Sequence, residues 1–130
     1  MSMNFFEYSR ILDRFPGKRI AVIGDLMLDV YLWGRVTRIS PEAPVPVVNV
    51  QRRTCCLGGA ANVMRNVSTL TARAFAFGMV GEDAAGEELL RELAAAGIDP
   101  AGVEHDSSRR TTEKRRVIAG AQQLFREDYE

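Results

Sequence analysis

The chain has 130 residues, 46% of them hydrophobic and 26% charged, which fits one globular domain and excludes a chain disordered throughout. Its 17 Lys and Arg balance 17 Asp and Glu, so no basic excess exists to hold a polyanion, and we expect no binding to nucleic acid or membranes. The N-terminus lacks the basic segment and long apolar core of a signal peptide, which predicts a cytoplasmic protein.

The first third of the chain predicts a helix, a strand and an extended segment. Apolar residues at helical spacing over 4–15 predict a helix that a Pro-Gly pair ends. The apolar run at 20–23 predicts a buried parallel strand. Three prolines within 41–46 exclude a helix there and favour extended, edge-like structure up to Val50.

Two helix–strand units follow. Gly58 and Gly59 open a helix, and a second buried strand is predicted at 74–80. Asp83 caps a third helix, which Gly97 ends, before another short strand. The residues predicted to form the buried face of the first of these helices are Ala60, Val63, Met64, Val67 and Leu70.

The order of these elements indicates the fold class. Strands that alternate with helices predict an α/β fold, in which parallel strands are flanked by helices and joined by right-handed crossovers. The proline-rich segment and the β-prone pieces at 114–118 and 122–129 do not fit that pattern. We predict that they form a small β lid, from segments at about 30–50 and 109–130.

Two carboxylates follow the first predicted strand, at the edge of the sheet where ligands of α/β proteins bind. A dinucleotide site would need glycines and free amides there, and no GxGxxG motif occurs. Asp25 and Asp29 repel phosphates but accept hydrogen bonds from sugar hydroxyls, so they favour a polyol over a nucleotide. The alternative is a helix cap and a solvated carboxylate.

Two other features are candidates for ligand binding. Gly58 and Gly59 allow close approach to the backbone at a helix start, and Asn62 can bracket hydroxyls from the same helix. The basic run that contains Lys114 and Arg116 is either a solvated strand face or a cation cluster for one phosphate group. The two adjacent cysteines lack the spacing and the histidine of a zinc site, so we predict no metal site.

In this order and spacing, the motifs resemble the ribokinase-like (PfkB) family of carbohydrate kinases. Residues 24–34, 58–62 and 122–130 are similar to the members that phosphorylate heptose 7-phosphate, as is the string Ser-Pro-Glu-Ala-Pro-Val-Pro at 40–46. The resemblance covers nearly the whole chain and implies a kinase that uses ATP and Mg²⁺ to phosphorylate the sugar's anomeric hydroxyl. It also implies a homodimer formed through the β lid.

The resemblance also assigns the candidate residues. Asp25, Asp29 and Asn62 would hold the sugar together with the glycine pair, and Lys114 and Arg116 would hold the substrate's own phosphate. Dimer contacts are expected near 45–50 and 110–129. There, apolar residues flank open strand edges: Val47, Val48, Val50, Val117 and Ile118.

Members of the family continue well beyond the point that aligns with the end of this chain. Their later part carries the nucleotide pocket and a Gly-Ala-Gly-Asp motif, which holds the catalytic base. We therefore expect residues 1–130 to be the N-terminal, sugar-binding portion of one kinase domain, with no catalytic residue and no activity alone. The alternative is a truncated, non-catalytic module that binds a sugar phosphate or a partner.

Overall fold

The computed structural model of the protein describes residues 4–130. Over these residues the chain forms three helices, α1 (Phe5–Leu12), α2 (Gly59–Thr69) and α3 (Ala84–Ala95). It also forms seven strands: β1 (Arg19–Ile23), β2 (Leu26–Ile39), β3 (Pro46–Gly58), β4 (Arg73–Val80), β5 (Asp99–His105), β6 (Thr112–Ala119) and β7 (Gln122–Tyr129).

The strands belong to two sheets. The parallel sheet has the order β1-β4-β5, and both of its pairings are parallel. The mixed sheet has the order β3-β2-β6-β7, with a parallel pairing of β2 to β6 between two antiparallel pairings. The predicted α/β class, with parallel strands and a separate β layer made from the proline-rich segment and the tail, is confirmed.

One hydrophobic core joins the two sheets. α2 packs against β1 to β4, and α3 packs against β2, β3 and β5. The first half of β2 contributes three buried residues, Leu26, Leu28 and Val30, which pack with small residues of β4. The helices complete the core with buried residues on one face of each, namely Ala61 and Met64 of α2 and Leu89 and Leu93 of α3.

The first strand is parallel but not buried, contrary to the prediction from its apolar run. β1 lies at the edge of its sheet, and only Val22 packs against the core, while Ile23 is 80% exposed. Local sequence carries no information about what covers a strand, because burial depends on neighbouring elements. α1 is also largely exposed, with none of its residues buried.

Three further predictions need correction. The apolar face of α2 is narrower than predicted, since Val63 and Leu70 are about half exposed. Val117 and Ile118 do not flank an open edge, because β6 is an inner strand of the mixed sheet, and Val117 is also buried. Residues 26–39 form one continuous 14-residue strand, whose first half carried no strand prediction. None of the helices in 4–130 is long and apolar enough to cross a membrane.

Candidate functional site

The alternation of side chains along β2 places Asp29 on the face of the mixed sheet that is turned away from the core. Leu26, Leu28 and Val30 point into the core, and the intervening residues point the other way. We call this second face the outer face. Its members, given by the pairing register, include Asp29, Tyr31 and Trp33 of β2, Arg52, Thr54 and Cys56 of β3, and Lys114 and Arg116 of β6.

Asp29 is paired with Arg116 on this face. The Arg116 guanidinium donates a hydrogen bond to Asp29 Oδ1, and the side chains are 23% and 19% exposed. The hydrogen bond to Asp29 raises the pKa of Arg116, so the arginine is firmly cationic. The structure thus pairs Asp29, which was predicted to bind the sugar, with Arg116, which was predicted to bind the phosphate. One oxygen of the Asp29 carboxylate already accepts a hydrogen bond from the protein itself.

The paired glycines are required because the two carboxylate residues approach them closely. A Cβ built on Gly58 would lie 2.6 Å from Asp29 Oδ2, and a Cβ on Gly59 would lie 2.6 Å from the Asp25 carbonyl oxygen. Gly59 also has φ +55°, which favours glycine. We predicted that these glycines admit a ligand to the backbone, and the structure shows that they admit Asp25 and Asp29.

Asp25 lies at the junction of β1 and β2, next to the N-terminus of α2. Its carbonyl oxygen accepts a hydrogen bond of 3.0 Å from the Ala60 N–H, which fixes the junction to the first turn of the helix. Asn62 lies in that same turn, and both Asp25 and Asn62 are exposed. The structure therefore gathers Asp25, Asp29, Gly58, Gly59 and Asn62 where β1, β2, β3 and α2 meet.

The basic run is divided between the two faces of the sheet. Lys114 shares the outer face with Arg116, but Lys114 Nζ lies 3.5 Å from Asp128 Oδ2 and 3.1 Å from Glu130 Oε1. The hydrogen bond to Glu130 raises the pKa of Lys114. Arg115 points to the opposite face, where it pairs with the buried Glu113. The run therefore does not form one cation cluster.

The inner face of the mixed sheet is linked to α3 by a separate network. Arg53 donates two hydrogen bonds to the Glu88 carboxylate, at 2.7 and 2.6 Å. These bonds hold the pKa of Glu88 at about 2. Burial and the Glu88 carboxylate raise the pKa of Cys55 to about 11, so this thiol stays protonated at neutral pH. These groups attach the mixed sheet to α3, and they lie on the opposite face of that sheet from Asp29.

The described residues do not fit a magnesium site. Mg²⁺ prefers several oxygen ligands in octahedral geometry. Within 4–130, no group of three or more His, Cys, Asp or Glu side chains is placed to hold a metal ion. We therefore assign no step of a reaction to a metal held by these residues.

Sequence reasoning missed the aromatic members of the outer face. Tyr31 and Trp33 are stacked, with ring centroids 5.9 Å apart and an angle of 18° between the planes. The Trp33 indole N–H donates a hydrogen bond of 2.9 Å to Thr54 Oγ1. The period-two alternation from Leu26 to Trp33 would have predicted a strand with Asp29, Tyr31 and Trp33 on one face.

Comparison with known proteins places this arrangement in a family. Residues 18–128 match the family described as pfkB family carbohydrate kinase. The Bifunctional protein HldE of Helicobacter pylori is 53% identical over 113 residues, which cover 87% of this chain and 24% of that protein. The chain thus spans about a quarter of the length of the curated relative.

Solved structures share the fold. Arabidopsis thaliana ribokinase, complexed with ribose and ATP, matches with a TM-score of 0.67 at 17% identity and covers 87% of this chain and 36% of that one. A sugar kinase of Pyrococcus horikoshii in complex with ATP matches with a TM-score of 0.59 at 28% identity, covering 85% and 33%. With the family match over most of its length, the chain belongs to the pfkB family of carbohydrate kinases.

Proposed function

We propose that the chain supplies the sugar-binding part of an ATP-dependent carbohydrate kinase, whose substrate is a sugar phosphate of the heptose 7-phosphate type. The reaction would transfer the γ-phosphoryl group to the anomeric hydroxyl: the hydroxyl oxygen bonds to phosphorus, the bond to the ADP oxygen breaks, and a base outside this chain takes the proton. The resemblance to heptose 7-phosphate kinases supports this substrate, as does the HldE relative at 53% identity.

The observation that carries the proposal is the placement of Asp29. Its carboxylate is held by Arg116 and packed against Gly58, so its orientation is fixed before a ligand arrives. An ionised carboxylate in this position accepts hydrogen bonds from sugar hydroxyls and repels phosphate groups. Asp25 and Asn62, at the adjoining N-terminus of α2, are exposed and offer further oxygen and amide groups to the same sugar. The resemblance implies that Lys114 and Arg116 contact the substrate's own phosphate, although each already has a carboxylate partner within this chain.

ATP and Mg²⁺ belong to this proposal as partners of the intact enzyme. The Pyrococcus horikoshii sugar kinase was solved in complex with ATP, which supports ATP as the phosphoryl donor. We expect this chain to bind neither group tightly, because residues 4–130 hold no ligand cluster for a metal and the resemblance puts the nucleotide pocket in the later part of the family's domain. In this proposal the chain's own residues bind and orient the sugar, and the catalytic base lies in the later part of the family's kinase domain.

The experiment is calorimetric titration of heptose 7-phosphate into the 130-residue chain. Asp29→Asn removes the carboxylate charge at nearly constant shape, and a charge-assisted hydrogen bond contributes about 1.5–3 kcal/mol. We expect the affinity for the sugar phosphate to fall by roughly 10- to 100-fold. The matched control is Asp13→Asn, at the exposed end of α1, which should leave the affinity unchanged.

Two outcomes would contradict the proposal. One is a wild-type chain that binds no sugar phosphate. The other is equal affinity in wild type and Asp29→Asn, with thermal unfolding of both proteins showing that the variant is folded. ATP, titrated in parallel, should give no difference between the two proteins.

We also propose that the chain alone has no kinase activity, because residues 4–130 hold no cluster suited to a metal and the resemblance puts the catalytic base in the later part of the family's domain. The measurement is sugar-dependent consumption of ATP by the purified chain. Turnover above the rate without sugar would contradict this and would demand a base among the residues present. A chain that binds sugar phosphate without turnover agrees equally with a non-catalytic binding module.

A homodimer through the mixed sheet and a cytoplasmic location complete the proposal. The edge strands of the mixed sheet are β3 and β7, and they carry half-exposed apolar residues such as Val50 and Phe125. Unpaired strand edges of this kind favour pairing with a second copy. Sedimentation at micromolar concentration should give a dimer, and a stable monomer would contradict this part.

A further inference from the structure

The outer face carries a row of two stacked aromatic rings with a guanidinium at each end, and three of its members, Tyr31, Trp33 and Arg52, have no role in the site proposed above. The Arg116 guanidinium lies 5.3 Å from the Tyr31 ring centroid, and Tyr31 stacks on Trp33. At the other end of the row, the Arg52 guanidinium lies 5.0 Å from the Trp33 ring centroid. The hydrogen bond from Trp33 to Thr54 holds the indole in this position.

Arg52 differs from Arg116, Lys114 and Arg126 of this face in its partners. Arg116 pairs with Asp29, Lys114 with Asp128 and Glu130, and Arg126 with Asp128. Within the part of the chain that the structure describes, Arg52 makes no ion pair with a carboxylate, and its side chain lies at the exposed end of the row. A guanidinium held on an aromatic ring without a counter-ion is suited to bind an incoming anion.

The chemistry of the row matches an elongated sugar phosphate. Aromatic ring faces carry partial negative charge and pack against the weakly positive C–H groups of a sugar's carbon chain. Arginine binds phosphate oxygens through two N–H groups at once. From Asp29 to Trp33 the strand advances about 13 Å, at about 3.3 Å for each residue, so the two ends of the row suit two ends of one molecule.

We infer that a sugar phosphate lies along β2, with its hydroxyls at Asp29, its outer carbons on Tyr31 and Trp33, and its phosphate group at Arg52. This inference rests on the proposed function and deepens it, because it transfers the principal phosphate contact from Lys114 to Arg52. Lys114 remains a structural cation that ties β6 to β7. The Tyr31–Trp33 pair then selects for substrates with an extended carbon chain.

The test uses Trp33 itself as the reporter, because it is the only tryptophan in the sequence. Heptose 7-phosphate and unphosphorylated heptose are titrated into the chain, and the midpoint of the Trp33 fluorescence change is measured for each. Arg52→Gln should weaken binding of the phosphorylated sugar by about tenfold or more and leave binding of heptose unchanged. The control is Arg38→Gln. Arg38 is exposed and lies further along β2 than Trp33, so this substitution should alter neither midpoint.

The outcomes separate this inference from the proposed function. If Asp29→Asn weakens binding of both sugars while Arg52→Gln weakens neither, the inference is wrong and the proposed function stands. Equal loss for both sugars in Arg52→Gln also overturns it, because a phosphate contact cannot act on heptose. A fluorescence change that follows protein dilution and not added sugar would assign the row to a second copy of the chain. A wild-type chain that binds neither sugar would overturn both proposals.

Discussion

The parallel sheet and the mixed sheet place their charged residues differently. In the parallel sheet, charged residues stand at strand ends, as Arg19, Arg73 and Asp99 do, and the strand interiors are mainly small or apolar. In the mixed sheet, charged and aromatic side chains follow β2 and β6 along most of their length. The parallel sheet and its helices therefore contribute much of the buried core, whereas the outer face of the mixed sheet carries the charged and aromatic groups that we propose bind the sugar phosphate.

The two sheets nevertheless share one hydrophobic core, to which β2 of the mixed sheet contributes. Its inner residues Leu26, Leu28 and Val30 lie in the shared core, while Asp29 and Tyr31 between and beside them face outward. The following predictions test whether stability depends mainly on the residues that lie in the core.

The largest effect is expected for Leu28→Ala in the core part of β2. Leu28 is fully buried, and removing a buried leucine side chain costs about 2–5 kcal/mol. Val36→Ala, on the same strand at a position 38% exposed, should cost less than about 1 kcal/mol. Urea denaturation of both variants measures the two costs. If Leu28→Ala and Val36→Ala lowered the free energy of unfolding equally, the core would not be confined to the first half of β2.

The next effect concerns the glycine that lets Asp25 approach α2. Gly59→Ala introduces strain at φ +55° and a contact of 2.6 Å with the Asp25 carbonyl oxygen. Gly17→Ala is the matched control, because Gly17 has φ +75° and no atom within 4 Å of the added Cβ. Strain alone costs about 1–2 kcal/mol. The clash should add at least about 1 kcal/mol.

Urea denaturation again gives the measurement for this pair of variants. If Gly59→Ala costs no more than Gly17→Ala, the close approach of Asp25 to the start of α2 is not a constraint. The chain would then tolerate a looser junction at the proposed sugar site.

The smallest effect is the acid dependence of the ion pair that holds α3 to the mixed sheet. Bonding to Arg53 lowers the pKa of Glu88 from 4.5 to about 2. A lowered carboxylate pKa adds stability that is fully present above the unfolded pKa and is lost as pH falls from about 4.5 through about 2. Arg53 is 45% exposed, so solvent screening limits the contribution to about 1 kcal/mol or less.

Glu88→Gln measures this contribution. The difference in free energy of unfolding between wild type and variant should be constant from pH 7 to about 5 and shrink towards pH 2. A difference that does not change with pH would show that the pair contributes through packing and not through charge.

The sequence predicted elements with strong local signals. Asp83 caps α3 by accepting a hydrogen bond of 2.8 Å from the Gly86 N–H, as its position before the helix indicated. Gly120, at φ +62°, forms the turn between β6 and β7, in the gap between the two β-prone pieces predicted at 114–118 and 122–129. These features depend on neighbours in the chain, so local patterns were sufficient.

Apart from the period-two alternation of β2, which is a local signal, the features that sequence reasoning missed depend on distant parts of the chain. Asp29 and Arg116 are 87 positions apart, and only the parallel pairing of β2 with β6 brings them together. The exposure of β1 depends on which strands stand beside it, and its apolar run could not reveal that. Candidate site residues were therefore identifiable from the sequence, whereas their pairing, and the division of the basic run between two faces, were not.

The most direct test of the account is to map where the sugar phosphate binds. Amide chemical shifts of the isotopically labelled chain are recorded during titration with heptose 7-phosphate. The account predicts that the largest shift changes fall on Asp29, Gly58 and Arg116. Largest changes at the cleft of about 300 Å³ between α1 and β1, lined by Ile11 and Ile20, would contradict it.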